Sequence, residues 1–223
     1  ITEEELDYAL NLDLDYSDAE VLQFCSANEY AKSNQYVKEF KIPTTCTQPL
    51  AIIVDPNGIV WFAQTNTGNI GKFDPDTETF TEYDNPVWQE VEKFYVARAL
   101  ENNIEPQKLR SMMWGMDYFP DGSIWYTDEA TDSIWKFSIN DESYDIITYA
   151  EVDETKNKSS LPQKLVLEGS KIIINDFSGG KLSFLDYAQM NQGLRHYSIP
   201  AIVDDAVTSD FALDSEKNVW YTN

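Results

Sequence analysis

The segment Leu50–Pro86, LAIIVDPNGIVWFAQTNTGNIGKFDPDTETFTEYDNP, constrains the fold most, because it is cut into four short apolar runs and then recurs. Leu50–Val54 is apolar, Asp55-Pro56-Asn57-Gly58 is a turn, and Ile59–Ala63 is a strand centred on Trp61. Asn66–Asn69 turns again, Ile70–Phe73 is a third strand, Asp74-Pro75-Asp76 turns, and Thr79–Tyr83 alternates as a fourth. Proline fixes φ and glycine supplies positive φ, so each break has a mechanical cause.

The unit returns three times. In residues 113–150, Phe119-Pro120-Asp121-Gly122 replaces the first turn, Trp125 replaces Trp61, and Ile134–Phe137 replaces Ile70–Phe73. In residues 162–200, Ile173 takes the tryptophan position, Leu182–Leu185 is the third strand and Arg195–Ile199 the fourth. Residues 209–223 carry only the first two strands, with Trp220 as marker. Markers 61, 125, 173 and 220 are 64, 48 and 47 residues apart. Four strands per period of about 40–50 residues is the signature of a propeller blade. The reading is an all-β chain, a β-propeller of four-stranded antiparallel blades. A last copy of two strands favours a segment of a larger ring over a minimal ring closed imperfectly, since propellers have about four blades or more.

The long first interval has a local cause. Asn85 before Pro86 is an N-cap and N1 pair, and Trp88, Val91, Phe94 and Tyr95 follow at helical spacing, which predicts an inserted helix over 86–101. Its plain role is to cover a sheet edge; its functional role would be a docking element or lid. Residues 1–35 stand outside the repeat as a helical N-terminal extension, leaving 36–223 for the propeller domain. Within the extension, Thr2-Glu3-Glu4-Glu5 is a capping-box pattern, yet Leu6 to Tyr16 alternate as a strand would, so that stretch is open. A second capping box at Ser17–Glu20 predicts a helix over 18–32, and Gln35–Pro43 reads as an outer strand.

Charge limits the partners. Sixteen basic against 39 acidic residues give a net charge of -23, which argues against nucleic acid and anionic membrane surfaces. No run approaches the roughly 18 apolar residues of a membrane span. The acidity suits a solvated surface or a cation-rich, secreted or cell-surface setting. Cys25 and Cys46 permit one disulfide and lack zinc-site spacing. Asn157-Lys158-Ser159 is a glycosylation sequon, which has meaning only for an exported chain.

The wording of the repeats, DPNGIVWFAQTNTGNIGKFDPDTETFTEY and FPDGSIWYTDEATDSIWKF, resembles the virginiamycin B lyase (streptogramin lyase) family, and more widely NHL-type propellers. The resemblance covers about three quarters of the chain. It implies a propeller and, for the lyases, histidine and glutamate with Mg²⁺ at the centre of the ring. That carry-over fails here: His196 is the sole histidine and lies in an outer strand, so lyase residues would have to come from further blades.

Three residues beyond each marker stand Gln64, Asp128, Asp176 and Asn223, with Glu129 next to Asp128. Loops at the ends of second strands gather on one face, so these residues are the ligand-face candidates. Asp128 and Asp176 are the candidates for Ca²⁺ or Mg²⁺, which take oxygen ligands. The competing role is turn closure through backbone N–H groups, the commoner use of Asp and Asn at such sites. Trp61, Trp125 and Trp220 recur in register with the turns and are expected to pack between blades. No nucleophile–base array is visible. The expectation is a non-catalytic extracytoplasmic binding or scaffold module for a protein or small polar ligand. The alternatives are a metal-dependent lyase or lactonase completed by further blades, or an assembly subunit docking through helix 86–101.

Overall fold

A computed structural model describes residues 2–10, 33–106, 109–149, 161–178, 180–200 and 207–222. The predicted helix over 18–32, Cys25, the sequon at Asn157 and Asn223 lie outside the described residues. Three four-stranded antiparallel sheets and one two-stranded sheet follow the repeat. The first is β1 (Ile52–Val54), β2 (Val60–Gln64), β3 (Asn69–Asp74) and β4 (Thr79–Tyr83), paired in that order. The second is β5 (Met116–Phe119), β6 (Ser123–Asp128), β7 (Ser133–Ser138) and β8 (Ser143–Thr148). The third is β9 (Pro162–Glu168), β10 (Lys171–Asp176), β11 (Lys181–Asp186) and β12 (Arg195–Ser198). A 3₁₀ segment, Tyr187–Gln192, precedes β12, and the last sheet is β13 (Phe211–Leu213) with β14 (Val219–Tyr221). The protein is a β-propeller fold made of up-and-down blades.

The chain divides into two compact units, Ile1–Pro49 with Val54–Arg110, and Leu50–Ile53 with Ser111–Asn223. In the first unit, α1 (Glu3–Leu10) starts on the capping box. The Glu5 amide donates to Thr2 Oγ1 at 3.2 Å, and the Thr2 amide donates to Glu5 Oε2 at 2.8 Å. Over Glu3–Leu10 these local bonds decide for helix over strand, and residues 11–16 of the open stretch lie outside the described residues. Helix α2 (Pro86–Glu101) matches the predicted insertion, with the Trp88 amide donating to Asn85 Oδ1 at 3.0 Å. Trp88 is buried on Gly68, where a Cβ would approach its indole to 2.5 Å, so α2 is fastened to the β2–β3 turn. Asn85 Nδ2 donates to Gly68 O at 3.1 Å and holds the same junction.

Gln35–Pro43 is not a strand. Asn34 Oδ1 accepts the Tyr36 and Val37 amides, and the Glu39 amide donates to Ser33 Oγ, so local side chains take donors that a ladder would need. The segment is held by side chains instead: Lys38 pairs with Glu78, and Phe40 meets Phe73 with ring centroids 4.5 Å apart.

In the second unit, the second and third blades share a core of Phe119, Trp125, Ile134 and Tyr149 against Leu165, Ile172, Ile174 and Leu185. The third blade and β13 share Ile173, Leu182, Ile199 and Phe211. Burial of such apolar area, at about 25 cal/mol per Å², is what fixes one blade on the next. The inner strands come close enough to exclude side chains: a Cβ on Gly115 would lie 2.2 Å from Gln163 O. Trp61 and Trp125 are buried as expected, whereas Trp220 is 66% exposed. Its exposure follows from its strand, since β14 has a neighbour on one edge only among the described residues.

Candidate functional site

The ends of the second strands do a repeated structural job. Asp128 Oδ1 accepts the Met112 amide at 3.0 Å and the Ala130 amide at 3.0 Å, while Oδ2 accepts the Thr131 hydroxyl at 2.6 Å. Asp176 Oδ1 accepts the Leu161 amide at 3.0 Å, and Lys181 Nζ stands 3.3 Å from Oδ2. In both blades the carboxylate ties the chain that enters the first strand to the end of the second. The preceding residue repeats the device: the Gly115 amide donates to Thr127 Oγ1, and the Lys164 amide to Asn175 Oδ1 at 2.7 Å. Asn175 Nδ2 then donates to Thr208 O, reaching the next copy.

Both carboxylates are fully buried. Desolvation pushes the Asp128 carboxyl above its ordinary range, against the pull of its Thr131 and backbone partners. Asp132 lies beside them with its backbone at φ 47°, its carboxyl raised to about 6 by burial and by Asp176, with Lys181 opposing. Glu129 Oε2 accepts Gln163 Nε2 at 3.2 Å. The structure therefore brings Asp128, Glu129 and Asp176 to one seam, where hydrogen bonds to the chain occupy them. Gln64 belongs to the first unit, where its amide donates to Glu82. Among the described residues no group of three His, Cys, Asp or Glu side chains converges as a metal site.

A concave surface lies elsewhere in the second unit, at the first strands of its copies. The lead-in to β1, then β5, β9 and the entry to β13 enclose about 560 Å³. Trp114, Asp117, Gln163, Lys164 and Asp210 are its chemically informative lining residues. Lys164 Nζ donates to Asp210 Oδ1 at 2.8 Å and to Phe211 O at 2.7 Å, and sits 5.3 Å from the Phe211 ring centroid. Asp210 is held below its ordinary range, chiefly by that Lys164 bond. Asp117 Oδ2 accepts the Leu167 amide at 2.9 Å. Trp114 is 44% exposed. None of these residues was singled out in the sequence. The available signal was repeat phase: residues 50–52, 114–117, 163–166 and 209–210 all lead into or form the first strand of a copy.

The lone histidine joins a buried chain. His196 and Ser183 lie 2.6 Å apart through Nδ1 and Oγ, and Ser183 Oγ lies 2.6 Å from the Tyr149 hydroxyl. Ser183 is fully buried, so it is closed to substrate, and the chain links Tyr149, just past β8, to β11 and β12.

Structural likeness agrees with the blade architecture. A streptogramin B lyase structure aligns with a TM-score of 0.59 at 23% identity, over 82% of this chain and 51% of the lyase. The Staphylococcus aureus virginiamycin B lyase, in a catalytically inactive form with quinupristin, aligns with a TM-score of 0.57 at 15% identity, over 81% and 50%. The extracellular domain of a hybrid two-component system from B. thetaiotaomicron gives 0.51 at 16%, over 78% and 19%. The chain thus spans about half the length of the lyases it matches, and the shared feature is a lyase-like propeller fold. No protein-family model matches the sequence, and no curated protein matches it significantly. No helix among the described residues is long and apolar enough to cross a membrane.

Proposed function

We propose that this chain is a non-catalytic binding module working outside the cytoplasm, and that it takes a small polar ligand in the cavity of its inner strands. The observation that carries the reading is that cavity of about 560 Å³, lined by Trp114, Asp117, Gln163, Lys164 and Asp210. It is large enough for a small molecule. Lys164 and Asp117 are already hydrogen-bonded within the protein, so they suit fixed donors and acceptors better than a free base or nucleophile. With a net charge of -23, the favoured ligand is uncharged or cationic, and it has one flat face for Trp114.

Saturation-transfer NMR of the whole chain against a panel of small saccharides and amines, with quinupristin included, tests this. A saturable ligand should lose about tenfold or more in affinity with Trp114→Ala and with Lys164→Gln, as loss of one charged hydrogen bond predicts. If every ligand binds Trp114→Ala as well as the parent, the cavity is not the site. Cleavage of quinupristin by the parent would replace the binding reading with the enzymatic one.

The export part of the proposal has two supports. One is the extracellular domain among the structural neighbours. The other is cysteine state: no free cysteine occurs among the described residues, and a Cys25–Cys46 disulfide is part of this proposal. Alkylation of both cysteines in unreduced peptides would remove that support. The docking alternative rests on α2, whose Phe94 and Tyr95 are exposed and meet edge to face at 5.7 Å.

A further inference from the structure

Tyr149, Ser183 and His196 meet in the seam between the second and third blades. Leu185 belongs to the core that those two blades share, whereas Leu182 belongs to the core shared with β13. Alternation along β11 turns Ser183 to the same side as Leu185. His196 stands opposite Ser183 on β12 and meets the Tyr149 ring edge to face, with centroids 5.4 Å apart. Tyr149 and Ser183 are fully buried while His196 is exposed, so the imidazole is the end of the chain that solvent reaches.

The two links, each 2.6 Å long, set a count of protons. A hydroxyl has one proton to donate and lone pairs that accept. With Nδ1 bare and the imidazole proton on Nε2, Tyr149 donates to Ser183, Ser183 donates to Nδ1, and both links are filled. With a proton on Nδ1 as well, three protons compete for two links. One hydroxyl proton, on Ser183 or on Tyr149, then has no acceptor, since among the described residues these hydroxyls have no further hydrogen-bond partner. A buried donor left unsatisfied is destabilising. Burial and Asp176 push the Tyr149 phenol above its ordinary range, so it does not shed its proton to relieve the count.

We infer that Tyr149, Ser183 and His196 form an acid-released latch between the second and third blades, closed while His196 is neutral and weakened when it takes a proton from solvent. The charged groups around it are Lys181 on β11, whose ammonium lies 5.4 Å from the Tyr149 ring centroid, and Asp176 and Asp132, which act on Tyr149. Arg195 and Tyr197 flank His196 on β12 and alternate to the other face. An imidazole that resists protonation when folded, and accepts it near about pH 6.5 when unfolded, gives stability that is whole above that pH. The stability is lost as pH falls below it. Asp132, whose carboxyl regains its proton over the same fall, acts in the opposite sense, so the test reads the imidazole and differences between chains.

The single histidine gives one imidazole signal, which needs no assignment. Long-range proton–nitrogen NMR of the whole chain, above the ordinary histidine range at about pH 7.5, should show the Nε2–H form. The titration midpoint of that signal should lie lower than in Tyr149→Phe/Ser183→Ala by about one pH unit or more. The double variant replaces both buried hydroxyls with apolar groups of similar shape, and circular dichroism checks its fold. Tyr149→Phe alone should keep the low midpoint, because the displaced proton is then the one on Ser183. The residue 149 amide donates to Asp132 O at 2.8 Å. Its protection from hydrogen exchange should fall about tenfold between about pH 7 and 5 in the parent, and less than about twofold in the double variant. An Nδ1–H form in the parent overturns the inference without any variant. So do equal midpoints in the parent and the double variant, or an equal loss of protection in both.

Discussion

At the scale of single residues, two aspartates in this chain are pulled in opposite directions by their surroundings. Asp214 is exposed and gathers donors, led by Trp220 Nε1 and the Asn218 side chain, which hold its carboxyl down at about 2. Its stabilising effect is complete above the ordinary aspartate range and is lost as pH falls toward 2. Asp132 is half-buried and faces Asp176, Asp128 and Glu129, with only Lys181 in opposition, so its carboxyl rises to about 6. Here the folded state holds a proton that the unfolded state releases, so stability falls as pH rises from about 4 to 6. Asp132→Asn removes the ionisation while keeping a side chain that tolerates the left-handed backbone at φ 47°. Chemical denaturation at a series of pH values should show the variant more stable at pH 7 by about 1 kcal/mol, the shift being discounted for solvent screening. The two chains should converge near pH 4. A parallel offset at every pH would mean that the carboxylate charge is not the cause.

At the scale of elements, what could be read in the sequence followed from local chemistry. Strand β4, helix α2 and the turns at Asp55 and Phe119 were legible because proline, glycine and caps act within a few residues. Gln35–Pro43 was misread, since alternation of Tyr36, Lys38, Phe40 and Ile42 cannot show that Asn34 and Ser33 take its amides. The seam between the second and third blades was invisible for a different reason: Gly115 needs its lack of a Cβ only because β9 comes within contact of it. Gly115→Ala should therefore destabilise strongly, by about 2 kcal/mol or more, although alanine is otherwise acceptable in the chain. The markers give the matching contrast. Trp125→Ala empties a buried site and should cost about 3–5 kcal/mol, whereas Trp220→Ala should stay within about 1. Urea midpoints of the three variants decide this, and equal losses for the two tryptophans would contradict the exposure difference.

At the scale of the whole molecule, the propeller was legible because one unit recurs at nearly constant phase, and recurrence reports architecture directly. The candidate site was legible in part. Asp128 and Asp176, three residues past two of the markers, are committed to amides of the chain that enters the first strand. The cavity drew on residues such as Gln163 and Lys164 that carry no motif. What composition does determine is long-range charge. A chain at -23 repels itself, and its ion pairs are mostly exposed, such as Lys38–Glu78 and Lys93–Glu90, so they return little. Screening should then stabilise the fold: the Debye length shrinks from about 30 Å at 0.01 M salt to about 10 Å at 0.1 M. The melting temperature should rise by several degrees over that range, where 1 kcal/mol corresponds to about 2–4 °C for a chain of this size. NaCl and KCl should act alike, and CaCl₂ or MgCl₂ at matched ionic strength should add no separate step. A divalent-specific rise that saturates at micromolar concentration would mean instead that a bound cation, rather than screening, offsets this charge.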